Sequence, residues 1–173
     1  VQGDYFAVAS NLSGSTTSAP AALVVFPIMP GMTDPSFSSG SGPNGVVRAL
    51  RADTVGRIYI GGEFFLVNGT NRARLARLNS DGGVDVSFEA TVSSTSGFGS
   101  VFSLAVQTND QVLVGGTFTH VSGVARECLA RFNSNGTLDT NFNAALSSLG
   151  TVWSITLQTD GKIVIGGDFT SVA

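Results

Sequence analysis

The chain has 173 residues, of which 42% are hydrophobic and only 12% charged, with a formal net charge of -3. This is the length of one ordinary domain with a real core, and its acidic balance excludes a nucleic-acid binder that works through bulk positive charge. One cysteine and one histidine exclude an internal disulfide framework and a Cys/His metal cluster, and no apolar run reaches the roughly 18 residues of a membrane span.

Internal repetition governs the rest of the reading. The opening VQGDYF has no basic stretch and does not read as a signal peptide. Its first five residues align instead with Ile165-Gly166-Gly167-Asp168-Phe169, with Gln2 in place of the first glycine. Residues 11–20 are rich in Ser and Thr, lack a counterpart elsewhere and read as an inserted loop. A loose strand is expected over residues 22–26, followed by a stretch crowded by Pro27, Pro30 and Pro35. Asp34-Pro35-Ser36-Phe37 then closes a degenerate first unit, residues 1–44.

Two clearer units follow at 45–98 and 99–149, and a partial one at 150–173 stops in phase with the N-terminus. Each opens on an alternating strand, called A here. In the unit 99–149 Val101, Ser103, Ala105 and Gln107 are expected on one face and Phe102, Leu104 and Val106 on the other. In the partial unit 150–173, Val152, Ser154 and Thr156 alternate with Trp153, Ile155 and Leu157. Tight turns rich in Asn, Asp and Gly lead to strand B, expected at 57–64, 111–118 and 162–169. Strand B carries a glycine pair in each unit: Gly61-Gly62, then Gly115-Gly116 54 residues on, then Gly166-Gly167 after 51 more. Strand C is expected at 74–78 and 128–132, followed by the turns Asn79-Ser80-Asp81-Gly82 and Asn133-Ser134-Asn135-Gly136. A short fourth strand or extended end finishes at Phe88 or Phe142. No segment shows a helical period. Three or four short strands per unit of about 50 residues predict an all-β, propeller-like array of antiparallel blades. About three repeats are present, in an array that is open or completed by oligomerisation.

Few residues stand out chemically. Asp34, Asp85 and Asp139 recur in the D-x-x-F ending, and with Asn79 and Asn133 they either lock turns or offer oxygen ligands to calcium. Arg77 and Arg131 share one phase and are expected to pair with Asp85 and Asp139. Glu63 and Asp168, with Asp4, follow the glycine pairs, where Thr117 stands in the middle unit; a catalytic carboxylate pair is not indicated. His120 reads as a polar rim residue and Cys128 as a small buried hydrophobe. Phe37, Phe64, Phe88, Phe118, Phe142 and Phe169 recur once per blade and are expected in the core between blades. Arg48, Phe102 and Trp153 share one strand A position; the exchange of Arg for aromatic rings predicts exposure there, and a place for a ligand to stack.

The runs L-A-R-L-N-S-D-G-G-V-D-V-S-F (75–88), L-A-R-F-N-S-N-G-T-L-D-T-N-F (129–142) and L-Q-T-D-G-K-I-V-I-G-G-D-F (157–169) resemble the delta-60 repeat of bacterial secreted and cell-surface proteins. The resemblance covers most of 45–173 strongly and 1–44 weakly. It implies a β-propeller at an extracellular or cell-surface location, and it does not imply a catalytic activity. The expected function is thus a non-catalytic structural or adhesion module. The alternatives are a carbohydrate- or peptide-binding propeller and, further off, a glycan-active enzyme. Expected partners are a further copy of the chain or neighbouring blades of a longer parent, and a glycan or surface protein; nucleic acid is not expected.

Overall fold

The computed structural model describes residues 34–97, 99–144, 146 and 150–171, together with the backbone of four strands within the first 33 residues. Val25, Phe26, Pro27 and Pro30 lie outside the described residues. The chain divides into two compact units, Val1–Pro35 and Ser36–Ala173. The architecture is all-β, a propeller-like array of antiparallel blades. Among the described residues no helix is long and apolar enough to cross a membrane.

The N-terminal unit contains β1 (Gln2–Tyr5), β2 (Val8–Asn11), β3 (Gly14–Thr17) and β4 (Ala21–Val24). β1 pairs antiparallel with β4, with Gly3 opposite Leu23, and β2 pairs with β3. The stretch expected as an inserted loop at 11–20 therefore contains a strand. Ser and Thr are well suited to a two-stranded ribbon, where neither face needs to be apolar.

The larger unit holds β5 (Val47–Ala52), β6 (Ile58–Gly62), β7 (Leu66–Val67), β8 (Thr70–Asn71) and β9 (Leu75–Leu78). The two-residue β10 (Val92–Ser93) links this blade to the next. The second blade repeats the series as β11 (Val101–Val106), β12 (Val112–Gly116), β13 (His120–Val121), β14 (Val124–Ala125) and β15 (Leu129–Phe132). The third blade has β16 (Thr151–Leu157) and β17 (Ile163–Asp168). Strands A, B and C form the sheets β5-β6-β9 and β11-β12-β15, and the third sheet is β16-β17. The expected fourth strand is reduced to single bridges, Leu78 to Val84 and Phe132 to Leu138.

Local chemistry explains these elements. The B strands are β-branched or aromatic, as in Ile58-Tyr59-Ile60 and Val112-Leu113-Val114. The A–B turns need one left-handed residue, supplied by Gly56 (φ 84°), Asp110 (φ 63°) and Gly161 (φ 84°). Aspartate takes that conformation more readily than most residues.

Strand A corrects the simple alternation. The ladder passes from Val47–Gly62 to Ala49–Gly61, from Val101–Gly116 to Ser103–Gly115, and from Val152–Gly167 to Ser154–Gly166. Each A strand thus carries a bulge with one extra residue, at Arg48, Phe102 and Trp153. A bulge shifts the period by one. Val101 therefore packs with Leu104 in one core, while Ala105 joins another beside Val152 and Ile155.

The glycine pair serves two close approaches. A Cβ on the second glycine would collide with a carbonyl oxygen at the start of strand A of the same blade: Val46 for Gly62, Ser100 for Gly116 and Thr151 for Gly167. A Cβ on the first would meet the next blade. At Gly61 it would overlap Val101, and at Gly115 it would lie 2.6 Å from Val152 Cγ1 and 3.0 Å from Ile155 Cδ1. The first glycine is therefore a dimple that receives two apolar side chains from the next strand A.

The core lies between blades. Tyr59 and Leu75 of the first blade meet Val101, Leu104, Val112 and Phe132 of the second, with Phe88 wedged among them. Phe88 sits edge-on to Tyr59, with centroids 5.5 Å apart. Phe64, Phe88 and Phe118 are fully buried; Phe37, Phe142 and Phe169 pack at cluster margins.

Candidate functional site

The three bulges place their extra residues side by side. A side chain on a bulge leaves the regular alternation and can be aimed away from the core. The Phe102 and Trp153 rings stack with centroids 4.6 Å apart and planes 28° apart. The Arg48 guanidinium carbon lies 5.7 Å from the Phe102 centroid, within cation–π range. The result is a continuous stack, Arg48–Phe102–Trp153, across three blades. Trp153 remains 51% exposed.

The acids after the glycine pairs hold this stack at both ends. Arg48 Nε donates to Glu63 Oε1 at 2.7 Å, and Ser100 Oγ donates to the same oxygen at 3.0 Å. These bonds, Arg48's first and Ser100's next, hold the Glu63 carboxyl below the usual carboxylate value. Trp153 Nε1 donates to Asp168 Oδ2 at 2.9 Å. In the middle blade Thr117 Oγ1 accepts from the Ser100 amide at 3.2 Å. The three residues expected to form a stacking position are thus brought together. The acids expected near a rim prove to be their anchors, a pairing hidden in sequence because the two partners sit 15 residues apart.

A cleft of about 540 Å³ adjoins the stack, lined by Glu63, Phe65, Arg74, Ser100 and Thr117. Its floor is Arg74, buried and left-handed (φ 65°). Arg74 Nε donates to the Gly99 carbonyl at 2.6 Å, and its terminal nitrogens donate to Val92 and Gly97 at 3.0 Å each. Phe65 lies 4.7 Å from the guanidinium carbon. Loss of hydration lowers the pKa of this guanidinium. The equivalent cleft one blade on, about 420 Å³, has Cys128 in the place of Arg74. Cys128 is also left-handed (φ 62°), and its thiol donates to the Gly150 carbonyl at 2.8 Å. Burial, and then Glu127, push its pKa up. Arg74 and Cys128 therefore do one job with different chemistry: each clasps the first glycine carbonyl of the following blade.

The recurrent Arg–Asp pairs form as expected. Arg77 Nε donates to Asp85 Oδ2 at 2.7 Å, while the Ser87 amide and hydroxyl donate to Oδ1 at 2.9 and 2.6 Å. Arg131 Nε donates to Asp139 Oδ2 at 2.8 Å, and the Asn141 amide donates to Oδ1 at 3.0 Å. Burial alone would raise the Asp85 and Asp139 carboxyls; hydrogen bonds, chiefly from Ser87 and Arg77 to the first and from Arg131 to the second, outweigh it and hold both low. Each guanidinium also covers the Phe that ends its motif, at 4.7 Å. Arg77 further donates to the Ser134 carbonyl of the next blade.

Both oxygens of Asp85 and Asp139 are thus engaged by donors that lock the turn. The backbone carbonyls of Asn79 and Asn133 close the preceding turns, accepting from the Gly82 and Gly136 amides at 3.0 and 2.9 Å. Asp34 is exposed, in the N-terminal unit. Among the described residues no group of three or more His, Cys, Asp or Glu is placed to hold a metal ion. His120 Nδ1 contacts Thr119 Oγ1 at 2.9 Å, and Ser122 occupies a left-handed turn position (φ 47°).

Three segments of the chain, residues 56–88, 107–142 and 158–173, match a family described as "Domain of unknown function (DUF5122) beta-propeller". Each match begins at or near an A–B turn, and the two longer ones end on the D-x-x-F phenylalanine. These matches support a β-propeller-like repeat family. No curated protein and no solved structure matches the chain.

Proposed function

We propose that the chain is a non-catalytic repeat module, built of delta-60 repeats, that presents a β-rich scaffold or adhesion surface outside the cell. One observation carries this reading: the recurrent polar side chains are committed to the framework. Arg77–Asp85 and Arg131–Asp139 lock turns, Arg48–Glu63 and Trp153–Asp168 hold the bulges, and Arg74 and Cys128 clasp the next blade. Catalysis needs acids, bases or nucleophiles aimed at a reacting atom, and these groups are aimed at the protein. The resemblance to secreted repeats supports the extracellular setting. The test retains glycans and matrix proteins on the immobilised chain while assaying the same mixtures for cleavage. Retention without product is expected. A product that disappears in Glu63→Gln or Asp168→Asn would overturn the non-catalytic reading.

A carbohydrate ligand is the second reading, favoured by the exposed stack itself. Apolar sugar faces stack on aromatic rings, and flanking carboxylates accept hydroxyl hydrogens. Trp153 is the single tryptophan, so its emission reports directly. An oligosaccharide that shifts the emission in the parent chain and not in Phe102→Ala supports the reading; a glycan panel that leaves the emission unmoved counts against it.

A further inference from the structure

We propose that two copies of this chain associate head to tail by repeating the contact that joins its own blades. Within the chain, a dimple at the first glycine receives a pair of apolar side chains from the next strand A. Gly61 receives Val101 and Leu104, and Gly115 receives Val152 and Ile155. Both halves of this contact recur unused. Val47 and Leu50, in phase with Val101 and Leu104, are 39% and 54% exposed, against 0% and 1% for their counterparts. Gly166, in phase with Gly61 and Gly115, has no described residue within 4 Å of where its Cβ would be. Val164 beside it is 49% exposed, where the equivalent Leu113 is fully buried.

The polar complement is in place too. At the second seam the Ile155 amide donates to Ser103 Oγ at 2.9 Å. Ile155 is in phase with Leu50, and Ser103 with Ser154, which is exposed. A second copy seated on the third blade thus brings its Leu50 amide to Ser154 and its Val47 and Leu50 side chains to Gly166. It also carries Arg48 toward the open face of Trp153, extending the stack by the cation–π step seen between Arg48 and Phe102. The joint uses different patches on the two copies, so it closes into a ring or grows into a filament.

The test measures mass by light scattering after size exclusion, over a concentration series, for the whole chain and two variants. Leu50→Glu spoils the projecting side, and Gly166→Val fills the dimple. Both positions are exposed, so native circular dichroism is expected and is checked first; the melting midpoint is compared only at concentrations where the parent chain is itself dissociated. The parent chain is expected above its single-chain mass of 17.7 kDa. Each variant alone is expected at that mass, its association weakened by about 100-fold or more. An equimolar mixture is expected to recover a two-chain species, because one variant keeps its dimple and the other its projecting pair. A parent chain that stays at single-chain mass throughout overturns the proposal and leaves both surfaces to some other repeat. Variants that still associate, or a mixture that does not, overturn the head-to-tail geometry.

Discussion

Gly115→Ala tests the dimple directly. The new Cβ would lie 2.6 Å from Val152 Cγ1, closer than carbon atoms tolerate, and 3.1 Å from Val152 Cβ and 3.0 Å from Ile155 Cδ1, tighter than most such contacts. Val152 is fully buried and Ile155 nearly so, so neither can swing into solvent, and the seam must open by several tenths of an ångström. Overpacking of this kind costs about 1–3 kcal/mol, or roughly 3–10 °C of melting midpoint for a domain of this size. Gly166→Ala, measured at a concentration low enough to keep the chains apart, is the matched control: same phase and strand position, with no described residue within 4 Å. It should be neutral, or stabilising by up to about 1 kcal/mol through the less flexible unfolded chain. Val152→Ala alone removes two buried methyl-sized groups, about 2 kcal/mol with its cavity. Combined with Gly115→Ala it should cost about 1–2 kcal/mol less than the sum, since the new methyl occupies the space vacated. Urea and thermal unfolding followed by circular dichroism measure all four chains. A Gly115→Ala change as mild as Gly166→Ala, or strict additivity with Val152→Ala, would refute the packing argument.

Three further outcomes follow from the polar framework. Arg77→Met should cost about 3–5 kcal/mol, because it strands a largely buried Asp85, and Arg131→Met less, since Arg131 keeps 22% of its side chain in solvent against 4% for Arg77; equal urea midpoints would contradict this order. Asp53, Asp85 and Asp139 all have lowered pKa values, burial being outweighed by their hydrogen bonds, from Arg57 in the case of Asp53. Their contribution is therefore full above the unfolded value of about 3.9 and is lost as pH falls through the lower folded values, so the melting midpoint should hold near neutrality and drop steeply below about pH 4; a midpoint that is flat down to pH 3 would contradict it. Cys128, buried with its thiol bonded to Gly150 and its pKa raised, should react with a thiol reagent at least about 100-fold slower than the unfolded chain; rapid labelling of the native protein would show that its seam opens freely.

The units, their A–B hairpins and the Arg–Asp pairs were legible because each rests on a local pattern repeated at a fixed phase. What escaped was the one-residue irregularity. Period two placed Val101 with Ser103, whereas the bulge at Phe102 moves it to the face of Leu104, and no residue type announces a bulge. The hairpins at Leu66–Asn71 and His120–Ala125 escaped because two-residue strands carry no period; their signals were the turns Asn68-Gly69 and Ser122-Gly123, all at positive φ. The shared position of Arg48, Phe102 and Trp153 was visible, but their stacking was not, since it depends on how neighbouring sheets pack. The common task of Arg74 and Cys128 was also hidden, because a guanidinium and a thiol look unrelated until both are seen to point at a glycine carbonyl.

That last substitution sets an order of release along the chain. The first seam is clasped by a guanidinium that grips Gly99 and the linker carbonyls of Val92 and Gly97, the second by one thiol. In a linear array each unit is held only by its neighbours, so the weaker clasp is where peeling starts. Amide exchange should be fastest over residues 151–168, and a pull on the C-terminal end should free that hairpin while the first two blades stay docked. The array is graded, a firm pair of blades carrying a detachable third.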